Sequence, residues 1–206
     1  QVLDNTAQYN GGGIKIKNSN THFTQVSISD NHAGYASAMD INDGSSPSFK
    51  NVTIAGNESE DMNVGCVVAL WDNSYPTFTN TILWDNGNKD EFDGGFCAHP
   101  IWGWEGSNMT INYSNIEQGD DAEFEEYTLP EGGEGNIAAD PMFTDPDNGD
   151  FTLQSSSPCI DRGDPEGDLD PDGTYSDMGA FFFDQLENPF IYDCMDPDAC
   201  NYNPEV

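Results

Sequence analysis

Three carboxylates at alternate positions, Asp168, Asp170 and Asp172, are followed by Gly173 and then by Asp177. Oxygen ligands on every second residue, with a glycine able to turn sharply beside them, are how a loop wraps Ca²⁺. The run is therefore a candidate calcium loop, and Asp161 and Asp164 stand close enough in sequence to complete or rival it. Gly179 occupies the position where a full EF-hand loop carries its closing Glu, which makes this a shorter loop. The plain alternative is a set of acidic turns before a last strand. A second acidic group runs from Glu117 through Asp120, Asp121, Glu123, Glu125, Glu126 and Glu131 to Glu134 with no cation among it, and reads as a solvated loop.

Trp102 and Trp104 offer a different chemistry, flanking Gly103 and preceding Glu105. Indole faces stack on sugar rings and a nearby carboxylate accepts hydroxyl hydrogen bonds, so these three residues form a candidate glycan platform. Against it stands an insertion that buries its own aromatics, Phe92 and Phe96 included. His22, His32 and His99 lie on separate segments and make no pair. A polysaccharide lyase needs a base, and cations to neutralise a substrate carboxylate; the chain offers Lys15, Lys17, Lys50, Lys89 and Arg162 alone. A hydrolase needs converging carboxylates, and Asp40, Asp43, Asp72 and Asp85 fall on successive turns of a chain in which such coincidences are common. No catalytic residue is assigned.

The elements that position these groups must be built from 206 residues with 5 Lys+Arg against 38 Asp+Glu, a formal charge of −33. That balance excludes nucleic acid and anionic membranes as partners of this surface. No apolar run approaches the roughly 18 residues of a membrane span. Aromatics at 12%, with 12 Phe, indicate a folded chain rather than a disordered one. The five cysteines, Cys66, Cys97, Cys159, Cys194 and Cys200, show no zinc spacing, and an odd number leaves a thiol over. An acidic, Lys-poor surface suits a calcium- and salt-rich exterior, so an extracellular location is expected. With Gln at position 1 and an abrupt last segment, the sequence reads as a piece of a larger protein.

The strongest pattern is internal. Phe23-x-x-Val26-x-Ile28 returns as Phe49-x-x-Val52-x-Ile54, Phe78-x-x-Thr81-x-Leu83 and Ile111-x-x-Ser114-x-Ile116, with starts 26, 29 and 33 residues apart. Eight residues after the first three starts stand Asn31, Asn57 and Asn86; Gly119 breaks the match in the fourth. Helices need apolar steps of three and four residues, and the Gly, Asn, Asp, Ser and Pro between the units break helices. Each copy is a short strand ending in a turn, and Gly13 to Lys17, Ala38 to Ile41 and Cys66 to Trp71 supply further strands. Stacked coils would bury Phe23, Phe49, Phe78 and Ile111 as one inward column, with Ile28, Ile54, Leu83 and Ile116 as another. Asn31, Asn57 and Asn86 would then form a ladder at one corner, satisfying turn amides.

These segments, GGGIKIKNS (11 to 19), SPSFKNVTIAGN (46 to 57), YPTFTNTILWDN (75 to 86) and TINYSNIEQG (110 to 119), resemble rungs of right-handed parallel β-helix proteins of the pectate-lyase-like type. The stretch 135 to 165, with DPDGTYSDMGAF (170 to 181), resembles the closing segment of secreted bacterial β-helix surface proteins, and Phe181 to Phe183 are expected to close the last rung. The tail YDCMDPDACNYNPEV (192 to 206) is similar to a CTDPxACNYNP-type repeat of large secreted proteins. The expected fold is an all-β, right-handed parallel β-helix of about five or six rungs over 1–185, followed by a linker and truncated Cys-containing repeat over 186–206. The expected role is a structural or adhesive module, Ca²⁺-stabilised by the aspartate spacing and touching polysaccharide through Trp102 and Trp104 or neighbouring surface-protein chains; the resemblance itself suggests plain turns at DPDGT and makes a polysaccharide lyase, epimerase or hydrolase the alternative. An open coil end exposes unpaired strand edges, so more rungs or a partner are expected against residues 1 to 15.

Overall fold

Strand order in the computed structural model follows the repeat. The structure describes residues 1–60, 66–87, 101–104, 106–117 and 133–186. A first turn holds β1 (Val2–Leu3), β2 (Thr6–Ala7) and β3 (Ile14–Lys17); a second holds β4 (His22–Ser29), β5 (His32–Ala33) and β6 (Ala36–Asn42); a third holds β7 (Ser48–Ala55), β8 (Glu58–Ser59) and β9 (Cys66–Leu70). Above them come β10 (Thr77–Trp84), β11 (Ile101–Gly103), β12 (Thr110–Asn112) and β13 (Asn115–Ile116), then a hairpin of β14 (Phe143–Asp145) and β15 (Asp150–Leu153). Each turn hydrogen-bonds in parallel to the next, giving one sheet in the order β1-β4-β7-β10-β12, a second of β2-β5-β8 and a third of β3-β6-β9-β11. This is an all-β solenoid.

Register equals repeat length. Phe23 pairs Phe49 and Phe49 pairs Phe78, with ring centroids 4.9 and 4.8 Å apart and planes within 8° and 10°. Val2, Ile28, Ile54, Leu83 and Ile116 form the parallel column. Both columns belong to one continuous apolar interior with Met39, Ile41, Val68 and Leu70 from the third sheet. Identical side chains stacked at strand spacing bury each other's faces, which is why so slender a core suffices.

The corners explain the composition. Gln25, Asn51, Asn80 and Tyr113 take left-handed backbone (φ 53, 54, 53 and 48°) and bend each long strand at the same place. Asp4, Asp30, Gly56 and Asp85 do so at the next corner, and Asn18, Asp43 and Asp72 at the third. Left-handed backbone favours Gly, Asn and Asp, so much of the Asx content is a geometric requirement repeated every turn. Gly56 has a second reason, since a Cβ there would come within 2.5 Å of Asp30 Oδ1 on the turn before.

From the second turn on, turn length varies in one place only; in the first turn Ile16, which pairs Ile41, stands seven residues before Phe23. From Phe23, Phe49 and Phe78 to Asn31, Asn57 and Asn86 is eight residues each, and from Ile41, Leu70 and Gly103 to Phe49, Phe78 and Ile111 is eight again. From Asn31 to Ile41, Asn57 to Leu70 and Asn86 to Gly103 is 10, 13 and 17 residues. All the growth lies between the asparagine corner and the third sheet.

Among the described residues three turns are complete, fewer than the five or six rungs expected. The sheet of long strands rises further, and Ile137 bridges Asn115 above β13, but after Asp140 the chain leaves the axis. It returns down the outside of the long-strand sheet. Ala55 and Ile82, which point outward, are buried with Phe143, Phe151, Leu153, Cys159, Ile160 and Met178 in a second core. Phe181 and Phe183 pack on that lateral core instead of closing the last rung, because the outward residues there are apolar and need a cover. Residues 187–206, which include the Cys-containing tail, lie outside the described residues.

Candidate functional site

Corner ladders fix the frame. Asn31 Nδ2 donates to Asn57 Oδ1 and Asn57 Nδ2 to Asn86 Oδ1, both at 2.9 Å, while the backbone N–H of Asn31 and of Asn57 reach the same oxygens at 3.1 Å. Asn5 extends the ladder downward at 2.9 Å. A serine ladder, not anticipated from sequence, holds another corner: Ser19, Ser45 and Ser74 donate their backbone N–H to Ser45, Ser74 and Ser107 Oγ at 3.1, 3.2 and 3.0 Å. Each serine stands four residues before its Phe23, Phe49, Phe78 or Ile111, so the same repeat carried the signal.

On this frame the third sheet presents one outward face. Inward Met39 and Ile41 alternate with outward Asp40 and Asn42. Lys15 pairs Asp40 in register, and its Nζ lies 2.6 Å from Asp40 Oδ2; Asn42 Nδ2 donates to the same oxygen at 3.3 Å. Lys17 meets Asp43 at 3.1 Å. The backbone N–H of Trp71 bonds Ile41 O and that of Trp104 bonds Leu70 O, which sets Asn42, Trp71 and Trp104 one above another. Trp71 and Trp104 stack at 4.2 Å with planes 5° apart, and Tyr35 tilts against both at 5.9 and 5.8 Å. Trp102 lies on β11 in register with Ala69, and Glu105 lies outside the described residues. Trp104 thus joins Trp71 and Tyr35, two residues the sequence reading passed over because they lie one and two turns away.

Among the described residues four buried side-chain polar atoms have no hydrogen-bond partner: Asp40 Oδ1, Asn42 Oδ1, Trp71 Nε1 and Asp161 Oδ1. Three of the four sit on this one face.

Three of the four candidate calcium-loop carboxylates, Asp170, Asp172 and Asp177, accept backbone amides of the closing segment itself. Asp168 is exposed and takes Lys50 Nζ at 3.0 Å, which holds its carboxyl below the usual range. Asp170 Oδ2 accepts the Asp177 N–H at 2.8 Å, and Asp172 accepts from Thr174 and from the Gln185 N–H. Asp177, 2% exposed, accepts the N–H of Asp161 and of Phe183, each at 2.7 Å. Burial, reinforced by the charges of Asp170 and Asp161, pushes Asp177 up to about 7 despite those amides. Burial raises Asp170 as well. Among the described residues no group of three or more His, Cys, Asp or Glu is gathered as a metal site.

Of the remaining candidates, His22 Nδ1 pairs with Ser48 Oγ at 2.6 Å, His32 Nε2 faces Glu60 at 3.2 Å, and His99 lies outside the described residues. Asp43 and Asp72 share the third corner while Asp85 occupies another, so the four carboxylates weighed for hydrolysis do not gather. Cys66 and Cys159 are buried, and burial pushes the Cys159 thiol up to about 11.

A family model described as a right handed beta helix region matches residues 1–139. No curated protein and no solved structure matches the chain.

Proposed function

Because the chain belongs to the right-handed β-helix family, its rigid coil is the frame on which any activity is mounted, and we propose that it is an extracellular structural and adhesive module that holds glycan on the outward face of β3, β6, β9 and β11. The observation that carries this reading is the Tyr35, Trp71 and Trp104 cluster, three half-buried aromatics on one outward edge. Aromatic faces supply area for sugar rings at little entropic cost. A charge of −33 repels acidic polymers, so neutral glycans fit best. A lyase would have to release Lys15 from Asp40 and Lys17 from Asp43 before either could act on a substrate.

Calcium enters this reading as a stabiliser of the closing segment, supported by the spacing of Asp168, Asp170, Asp172 and Asp177 and by the orphaned Asp161 Oδ1 among them. A rise in melting temperature with Ca²⁺ that shrinks in Asp161→Asn supports it, and no shift at saturating Ca²⁺ removes it. The adhesive reading is tested by titrating soluble neutral and acidic polysaccharides against intrinsic tryptophan fluorescence, with product analysis alongside. Saturable quenching or shift with a neutral polymer and no depolymerisation is expected. Release of shortened or unsaturated products would replace adhesion by catalysis.

A further inference from the structure

The three orphaned polar atoms on the outward face of the third sheet describe a complementary ligand. Asp40 Oδ1 and Asn42 Oδ1 are acceptors, Trp71 Nε1–H is a donor, and all three are buried with no protein partner. A buried polar atom left unpaired has lost its water without gaining a partner, which destabilises the fold. Native chains carry few such atoms, so three on one face call for an account.

Their placement makes coincidence a poor account. Asp40 and Asn42 are alternate residues of β6 on the same side, and Trp71 follows β9 beside Asn42, hydrogen-bonded through its backbone to Ile41. The Asp40 side chain is 1% exposed, and its other oxygen is already taken by Lys15 and Asn42. A cation would satisfy the two acceptors but would meet the indole N–H as a like partial charge. An anion would satisfy the indole and be repelled by Asp40. A group that donates and accepts at once satisfies all three, and the alcohol hydroxyl is that group.

We propose that Asp40, Asn42 and Trp71 form a specific subsite for adjacent hydroxyls of a neutral saccharide unit. Two hydroxyls donate to Asp40 Oδ1 and Asn42 Oδ1, and one accepts from Trp71 Nε1. Lys15, held to Asp40 Oδ2, keeps the carboxylate oriented with Oδ1 turned away from it. The subsite lies at the surface of the coil and not in its core: Asn42 and Trp71 are half-buried and the Lys15 side chain is 53% exposed. The aromatic cluster beside them supplies stacking, and the subsite supplies selectivity among sugars. The proposal deepens the adhesive reading and rests on it.

The test uses the whole chain and short neutral oligosaccharides of glucose, mannose, galactose and N-acetylglucosamine, with the corresponding free monosaccharides as a separate arm. Trp71→Phe keeps a ring and removes the N–H; Asn42→Leu keeps the volume and removes the acceptor. Each should weaken binding of the preferred sugar about tenfold or more while leaving the melting temperature close to wild type. In wild type the Trp71 indole N–H resonance should shift on saturation. Binding by the oligosaccharides alone assigns the site to a polymer, and binding by both arms to a single unit. Wild-type affinity in both variants, with loss only in Trp104→Ala, overturns the subsite and leaves the aromatic reading standing. A silent wild type against every sugar overturns both.

Discussion

Outside β4, β7 and β10 the chain covers itself: Thr53 Oγ1 accepts the Ala180 N–H at 2.9 Å, Asn80 Oδ1 accepts the Asp164 N–H at 2.7 Å, and Asn51 Nδ2 donates to Ser176 Oγ at 2.9 Å. Outside β3, β6 and β9 the same kind of residue, an outward Asn beside an outward Asp, keeps unpaired atoms. Both faces belong to one coil with one repeat, so strand geometry does not separate them. What separates them, among the described residues, is the closing segment, which brings partners to one wall and none to the other. A polar group facing outward from such a coil is structural where the chain returns to meet it, and available for recognition where it does not.

Three changes test that contrast, beginning with the wall the chain seals. Ile82→Ala removes a fully buried side chain between wall and closing segment and should cost about 2–5 kcal/mol in denaturant unfolding. A cost near zero would mean that the closing segment is not held by the wall. Next is a matched pair of substitutions. Asn80→Leu strands the Asp164 N–H and puts a bulky residue on left-handed backbone, which should cost about 2–4 kcal/mol. Asn42→Leu removes an already unpaired oxygen and one long 3.3 Å bond to Asp40 Oδ2, which keeps Lys15, and should cost less than Asn80→Leu, about 1 kcal/mol or under. Equal costs would erase the distinction between the faces.

The smallest effect is in pH dependence. Asp177 is raised from 3.8 to about 7 in the folded protein, so the fold binds its proton more tightly than the unfolded chain does. Its contribution to stability is fully present below about pH 4 and is lost as pH rises through about 7. Lower pH also relieves the general repulsion of a −33 chain, so the wild-type curve alone does not isolate it. Melting temperature against pH should fall less steeply between about pH 4 and 7 in Asp177→Asn than in wild type. Parallel curves would exclude Asp177 as the titrating group.

Much of the frame was legible in the sequence because a solenoid writes its contacts at constant spacing. The Phe and Ile columns could be placed from four repeats alone, and the serine ladder could have been found with the same ruler. The lateral course of the closing segment could not, since nothing in Phe181 to Phe183 distinguishes a top from a side; that depends on Ala55 and Ile82 pointing outward from bends that only the structure locates. The aromatic cluster was half legible. Trp104 stood out by its neighbour Trp102, whereas Tyr35 and Trp71 come to it from other turns through backbone register. In the expected calcium loop, alternate aspartates are spaced for a cation, and in space three of the four also accept backbone amides, which no spacing shows.

The steps of 10, 13 and 17 residues between the asparagine corner and the third sheet have a consequence for how such a protein can diversify. The other intervals stay at seven or eight residues, because columns and ladders hold the side chains at their ends in register. Length changes by several residues in one interval, and that interval leads each time onto the edge where Trp71 and Trp104 stack. Duplication and drift can therefore renew the recognition edge generation after generation while the coil beneath it is inherited intact.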